Sequence, residues 1–299
     1  MSVRHQLPVY SPLDARAWLG GLAAMLDPRS CETDVTAWIA ERWRSVAVRL
    51  TDSGTSALSL AIAASLAGRP AGEGLVALPA YACYDVATAV DGAGVRAVLY
   101  DVDPATLGPD WDSLAAALRA GAGAVVVAHL YGVPVDLARV ARMAANAGAL
   151  VIEDAAQGAG AAWQGRPLGA HGSLAVLSFG RGKGITSGGG GALLANDARG
   201  AALIEALPPL PEGGSGLGVW ARALAQWALA RPSLYALPAS LPWLGLGETV
   251  YHPPHPPRSM PRSALGILAR TLALADAEAA VRRRVGARLA TVALTANLT

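Results

Sequence analysis

The sequence predicts an α/β protein, a three-layer α/β/α sandwich around a mostly parallel, seven-stranded sheet. Three observations lead there. Short apolar runs alternate with longer helical stretches between residues 46 and 195. An acidic pair closes one of those runs in VIEDAAQ (151–157), and a lysine follows another in SFGRGKGITSGGGGALL (178–194). Strands of a parallel sheet are covered on both faces, so they read as unbroken Val/Leu runs and not as alternation. The C-terminal ends of such strands face the ligand crevice, and chemistry-bearing residues are expected there.

The seven runs are VAVRL (46–50), LVALP (75–79), VRAVLY (95–100), AVVVAHL (124–130), ALVIED (149–154), LAVLSF (174–179) and GALLA (191–195). Stretches such as SALSLAIAASLAG and LARVARMAANAG lie between the first five and fit covering helices. The last two are joined by a glycine-rich loop too short for a crossover helix, so an antiparallel neighbour is expected there. After Asn196 the character changes. Residues 208–262 are rich in Pro and Gly and carry Trp220, Trp227 and Trp243; VWARALAQWALA fits a short amphipathic helix. This excursion reads either as packing that covers the core or as a docking or membrane-facing surface. Residues 262–290 read as one long helix with Leu265, Leu268, Leu272 and Ala275 on a single stripe.

The bulk numbers exclude several classes. Of 299 residues, 53% are hydrophobic and 15% charged, enough to bury a large core and too apolar for a disordered chain. A formal charge of +2 argues against nucleic acid as a partner, because phosphate binding needs clustered Lys and Arg. Two distant cysteines, Cys31 and Cys83, suggest neither a disulfide framework nor a cysteine zinc site. The N-terminus lacks the apolar core of a signal peptide, and the most apolar region, 217–246, is broken by Arg222, Arg231 and several prolines. A soluble, cytoplasmic protein without a membrane span is expected.

Three segments carry candidate chemistry. In SGTSAL (53–58), Gly54 permits a sharp turn, and Thr55 and Ser56 would bring backbone N–H groups and hydroxyls to a helix N-terminus, a seat for phosphate. The plain alternative is an ordinary helix cap. In VIEDAAQ, Asp154 ends a strand where its carboxylate could hold a positive ring nitrogen, and strand alternation sends Glu153 to the opposite face. A helix-capping role is the alternative. Lys183 is the only lysine in the chain. Arg cannot form an imine, whereas a Lys amine in its neutral form is a nucleophile. A solvated surface charge is the alternative. A nucleotide phosphate loop would need Gly at 177 and Ser or Thr at 184; Leu177 and Gly184 stand there, which rejects it. In HPPH (252–255) two histidines lack carboxylate partners, so no metal site is expected.

Taken in order, SGTSAL, the P-A-Y segment at 79–81, HLYG (129–132), VIEDAAQ and LSFGRGKGITSGGGGALLAND resemble the DegT/StrS-type sugar aminotransferases, which are fold type I pyridoxal-phosphate enzymes. The resemblance covers most of 45–197 and resumes at 262–290. It implies a pyridoxal 5′-phosphate cofactor and a transfer of an amino group from glutamate or glutamine to a nucleotide-linked keto-sugar. Lys183 matches the lysine that bonds to the cofactor aldehyde and later carries the proton. Asp154 matches the aspartate paired with the pyridinium nitrogen, and Gln157 a glutamine at the ring hydroxyl. Gly54, Thr55, Ser56 and Ser178 match the phosphate seat. The family stacks an aromatic side chain on the ring; strict alignment puts Cys83 there, flanked by Tyr81 and Tyr84, either of which could serve. His255 falls near the position of an asparagine that reaches the neighbouring subunit's cofactor phosphate, and a homodimer is implied. The resemblance divides the chain into a cofactor-binding large domain (1–200), the Pro/Gly/Trp-rich excursion (201–261), and a long helix with the remnant of a truncated C-terminal domain (262–299). A sugar dehydratase of the same family, which uses His in place of the lysine, and a non-catalytic scaffold are the alternatives.

Overall fold

The computed structural model describes residues 10–27, 29–70, 72–239 and 251–295. Trp243 and residues 1–9 lie outside them. The chain opens with two helices, α1 (Ala15–Leu26) and α2 (Arg29–Trp43). Strands and helices then alternate: β1 (Ala47–Thr51), α3 (Gly54–Ser65), β2 (Leu75–Pro79), α4 (Tyr84–Gly92), β3 (Arg96–Tyr100), α5 (Trp111–Arg119), β4 (Ala124–Ala128), α6 (Leu137–Asn146) and β5 (Leu150–Asp154). A two-residue hairpin, β6 (Ala162–Trp163) with β7 (Arg166–Pro167), precedes β8 (Leu174–Ser178) and β9 (Gly191–Ala195). Helices α7 (Ala198–Glu205), α8 (Leu217–Leu229), α9 (Pro232–Ala239), α10 (Arg262–Leu272) and α11 (Ala275–Thr295) complete the described chain.

All seven expected strands form one sheet, in the order β1-β9-β8-β5-β4-β2-β3. The β2–β3, β2–β4, β4–β5 and β5–β8 pairs are parallel, while β9 runs antiparallel to both β8 and β1, as the short glycine loop requires. Alternation along each strand feeds two faces. Leu78, Val126, Ile152 and Val176 pack under α3 and α4. On the other face, Val125, Val127 and Val151 meet α5 and α6 at one end, and Leu177, Ala192 and Leu194 meet α2 and α10 at the other. These are the three layers the sequence implies.

Helix α10 shares the sheet's core: Leu265, Leu268 and Leu272 are buried with Trp43, Leu177 and Phe179. The expected stripe is therefore present, but the single helix over 262–290 is two. The hydroxyl of Thr271 donates to the carbonyls of Thr186 and Leu268, and the Leu274 N–H turns back to the Thr271 carbonyl. Those side-chain and tight-turn bonds compete with the i→i−4 ladder and end α10. In the excursion, Trp220 and Trp227 both pack on Trp18 of α1, with ring centroids 6.3 and 6.0 Å apart, and the Trp220 indole donates to the Trp18 carbonyl at 2.8 Å. These two tryptophans thus serve packing. No helix among the described residues is long and apolar enough to cross a membrane.

Candidate active site

Because β2, β4, β5 and β8 run the same way, their C-terminal ends share one edge of the sheet. Strand β1 also points there, since it is antiparallel to β9, and so delivers the N-terminus of α3 to the same edge. A cleft of about 610 Å³, counting the space open to solvent, lies there. Gly54, Thr55, Cys83, Asp85, His129, Asp154, Gln157, Ser178 and Lys183 all line it. The ordered motifs, separated by up to 130 residues in sequence, converge on one space.

Asp154 is 9% exposed and accepts one hydrogen bond, from the Ala156 N–H at 2.9 Å. Burial pushes its carboxyl above the ordinary aspartate value, against the opposing pull of the Ala156 N–H and of the nearby Lys183 charge. An acid held this way is poised to gain from a cationic partner in the cavity. Glu153 faces the other way, as alternation requires. It is fully buried and accepts from His129 Nε2 at 2.9 Å and from the N–H groups of Gly169, His171 and Gly172 at 2.6, 2.7 and 2.8 Å. Burial opposes its ionisation, but the bonds from His129, Gly169 and Gly172 outweigh that, and its carboxyl titrates below the ordinary glutamate value. The Val135 N–H donates to His129 Nδ1 at 3.2 Å, so the ring's own proton sits on Nε2 and points at Glu153. His129 carried no assigned role in the sequence; the signal that could have found it is a histidine directly after the apolar run AVVVA (124–128), beside the strand that ends in Asp154.

Lys183 sits half-buried in a loop whose path is fixed by close backbone approach. A Cβ on Gly184 would come within 2.1 Å of the Ala159 carbonyl oxygen, and Gly182 has φ +77°. Gln157 accepts from the Tyr131 N–H at 2.7 Å, leaving its amide nitrogen as a donor. At the phosphate-type seat, a Cβ on Gly54 would lie 2.7 Å from Ser178 Cβ, so only glycine lets the α3 N-terminus and Ser178 close together.

Three expected residues fall elsewhere. The Ser56 N–H is taken by the Ser53 cap at 3.0 Å and its hydroxyl accepts from Ser53 Oγ, which turns it into a small adjoining cavity with Ser59, Thr88 and His255. Tyr81 is 58% exposed, with its hydroxyl on that of Tyr131 at 2.8 Å, and Tyr84 packs against Tyr251. Neither tyrosine lines the cavity; Cys83 does, its thiol pushed up in pKa by burial. His255 sits 3.7 Å from its own chain's Asp52.

A pyridoxal phosphate needs an amine, an acid for its ring nitrogen, a donor for its ring hydroxyl and an anion seat. The cavity offers Lys183, Asp154, Gln157 and the Gly54–Thr55–Ser178 cradle, so the residues present fit the group. No cluster of three metal-ligating side chains occurs among the described residues.

Comparison with known proteins agrees. The chain is 40% identical over 144 residues to L-glutamine:scyllo-inosose aminotransferase of Streptomyces griseus, covering 48% of this chain and 34% of that protein. It is 37% identical over 146 residues to GDP-perosamine synthase of Caulobacter vibrioides, covering 49% and 38%. The chain thus spans little more than a third of the length of these relatives. Among solved structures, the E. coli GDP-4-keto-6-deoxy-D-mannose-3-dehydratase with bound hydrated PLP superposes with a TM-score of 0.66 at 16% identity, covering 91% of this chain and 68% of that one, and shares its fold. Residues 35–209 match the DegT/DnrJ/EryC1/StrS aminotransferase family. The chain belongs to that family.

Proposed function

We propose that this site transfers an amino group from glutamate or glutamine to a nucleotide-linked keto-sugar. The observation that carries the reading is that Lys183, the chain's only lysine, and Asp154 line the same cavity as the cradle at the start of α3. Bound there, pyridoxal phosphate supplies an electron sink for the bond broken at the substrate carbon. Thr55 and Ser178 hold its phosphate, Asp154 holds the ring nitrogen as a cation, and Gln157 orients the ring. Lys183 Nζ takes the proton from the substrate carbon and returns it. Family relatives include proteins named for amino transfer to a cyclitol and for synthesis of a GDP-linked amino sugar. The lysine speaks against the dehydratase alternative.

The test is a single-turnover half-reaction. Protein loaded with pyridoxal phosphate is expected to show a visible band that glutamate or glutamine bleaches without any sugar present, and Lys183→Ala should lose both the band and the bleaching. A band that no amino donor alters would instead favour a scaffold that binds the cofactor without turning over.

A further inference from the structure

Helices α1, α8 and α9 carry an outward apolar face that the chemistry at Lys183 does not use. On α1 the small residues Ala17, Gly21 and Ala24 are buried. Gly20 and Gly21 close onto α10, where a Cβ would meet the Gly266 carbonyl oxygen or the Ile267 side chain at 2.8 Å. The opposite stripe is Leu19, Leu22 and Leu26, spaced i, i+3 and i+7, and these leucines are 50, 44 and 87% exposed. Helix α8 lies alongside α1 through the contacts of Trp220 and Trp227 with Trp18. Leu217 at its start and Leu234 on α9 are exposed as well. Five leucines left in water on adjoining helices mark a contact surface.

The charge of this face says with what. The whole chain nearly balances 24 Lys and Arg against 22 Asp and Glu, yet α1, α8 and α9 hold no acid, and residues 213–247 contain none. The acids that flank α1 are Asp14, which caps it through the Ala17 N–H, and Asp27. Arg16, Arg222 and Arg231 are exposed, and none has an ion-pair partner among the described residues. A second copy seated on this face about a twofold axis would bring two sets of arginines into one interface with no acid from the three helices between them. An anionic lipid surface satisfies both parts of the face. Leucines enter the acyl boundary, while guanidinium groups stay among the phosphates. The face also adjoins the site. A Cβ at Gly188, in the loop that follows Lys183, would lie 3.2 Å from Ala223 of α8.

We propose that α1, α8 and α9 form a peripheral docking surface for an anionic membrane, which holds the Lys183 loop close to the headgroups.

Co-sedimentation of the chain with vesicles tests it, using phosphatidylcholine alone and phosphatidylcholine mixed with phosphatidylglycerol. The protein is expected to bind the mixed vesicles and to leave the neutral ones largely in solution. The double variant Arg222→Ala/Arg231→Ala should weaken binding on the order of tenfold. The triple variant Leu19→Gln/Leu22→Gln/Leu26→Gln should weaken it at least as far. Arg142→Ala/Arg199→Ala, which removes the same charge from α6 and α7, should leave it unchanged. Thermal melts that match wild type show that the variants are folded. The docking surface is overturned if neither vesicle binds, if both bind equally, if the α6/α7 variant weakens binding as much, or if the leucine variant binds like wild type. It is also overturned if the leucine substitutions break up an oligomer in analytical sedimentation without changing vesicle binding, since a second copy would then cover the face. Vesicle binding reads no chemistry, so its outcome is separate from that of the amino-transfer reading.

Discussion

The two sides of the C-terminal end of β5 hold adjacent carboxylates in opposite circumstances. Glu153 lies beneath the sheet in a closed clamp, with four donors and no access to solvent. Asp154 lies above it, one donor short of comfort, with a cavity in front and an amine nearby. Burial resists ionisation of both. On the lower side the protein supplies the compensation itself; on the upper side it withholds it. A saturated carboxylate holds the fold together, whereas an undersupplied one is available to a ligand. Here the clamp ties the 169–172 loop and His129 to β5, and so braces the strand from which Asp154 projects.

This contrast can be broken from either side. The largest effect is expected from Asp154→Asn, which should cut amino transfer on the order of 10²–10³-fold while the fold stays intact. The Asn oxygen can keep the Ala156 N–H, and the buried charge is removed. The sign follows from the raised pKa. Ionising Asp154 costs the native state nothing in acid; the cost grows as pH rises through the ordinary aspartate range and is complete above the raised value. Thermal melts of the cofactor-free variant should therefore match wild type in acid and equal or exceed it at neutral pH. A variant that melts well below wild type at neutral pH would show that Asp154 is a structural residue.

Next in size, Glu153→Gln should lose about 3 kcal/mol of stability, because its amide nitrogen would face backbone N–H groups that now donate to a carboxylate. Denaturant unfolding across pH measures this. Since the Glu153 pKa is depressed, its contribution is present above the pH at which an unfolded glutamate titrates and is lost as pH falls through the depressed value. The gap between wild type and variant should hold at neutral pH and close on acidification. A gap that stays constant into strong acid would mean that the charge of Glu153 does not matter.

Much of this was legible in the residues. Val/Leu runs located every strand of the main sheet, with LVALP and GALLA placed to the residue, and alternation alone separated Glu153 from Asp154. The uniqueness of Lys183 pointed to a loop that lines the cavity. What stayed hidden depended on partners distant in sequence. AVVVAHL overran its strand by two residues because the chain bends into a short helical turn at Leu130–Gly132 after the His129 N–H makes the last bond to the Asp154 carbonyl. Whether Cys83 or a flanking tyrosine enters the cavity is settled by Tyr131 and Tyr251, which draw Tyr81 and Tyr84 away. Ser56 reads as part of the seat until its bonds with Ser53 are seen. The end of α10 turns on Thr271 meeting a carbonyl 85 residues earlier in the chain.

The central claim is that one particular amine meets the cofactor, and a chain with one lysine makes that claim unusually easy to test. Borohydride reduction of the loaded protein, followed by peptide mass mapping, should place the pyridoxyl mass on Lys183. A label found on the N-terminal amine, or no label at all under conditions where the cofactor is bound, would contradict it.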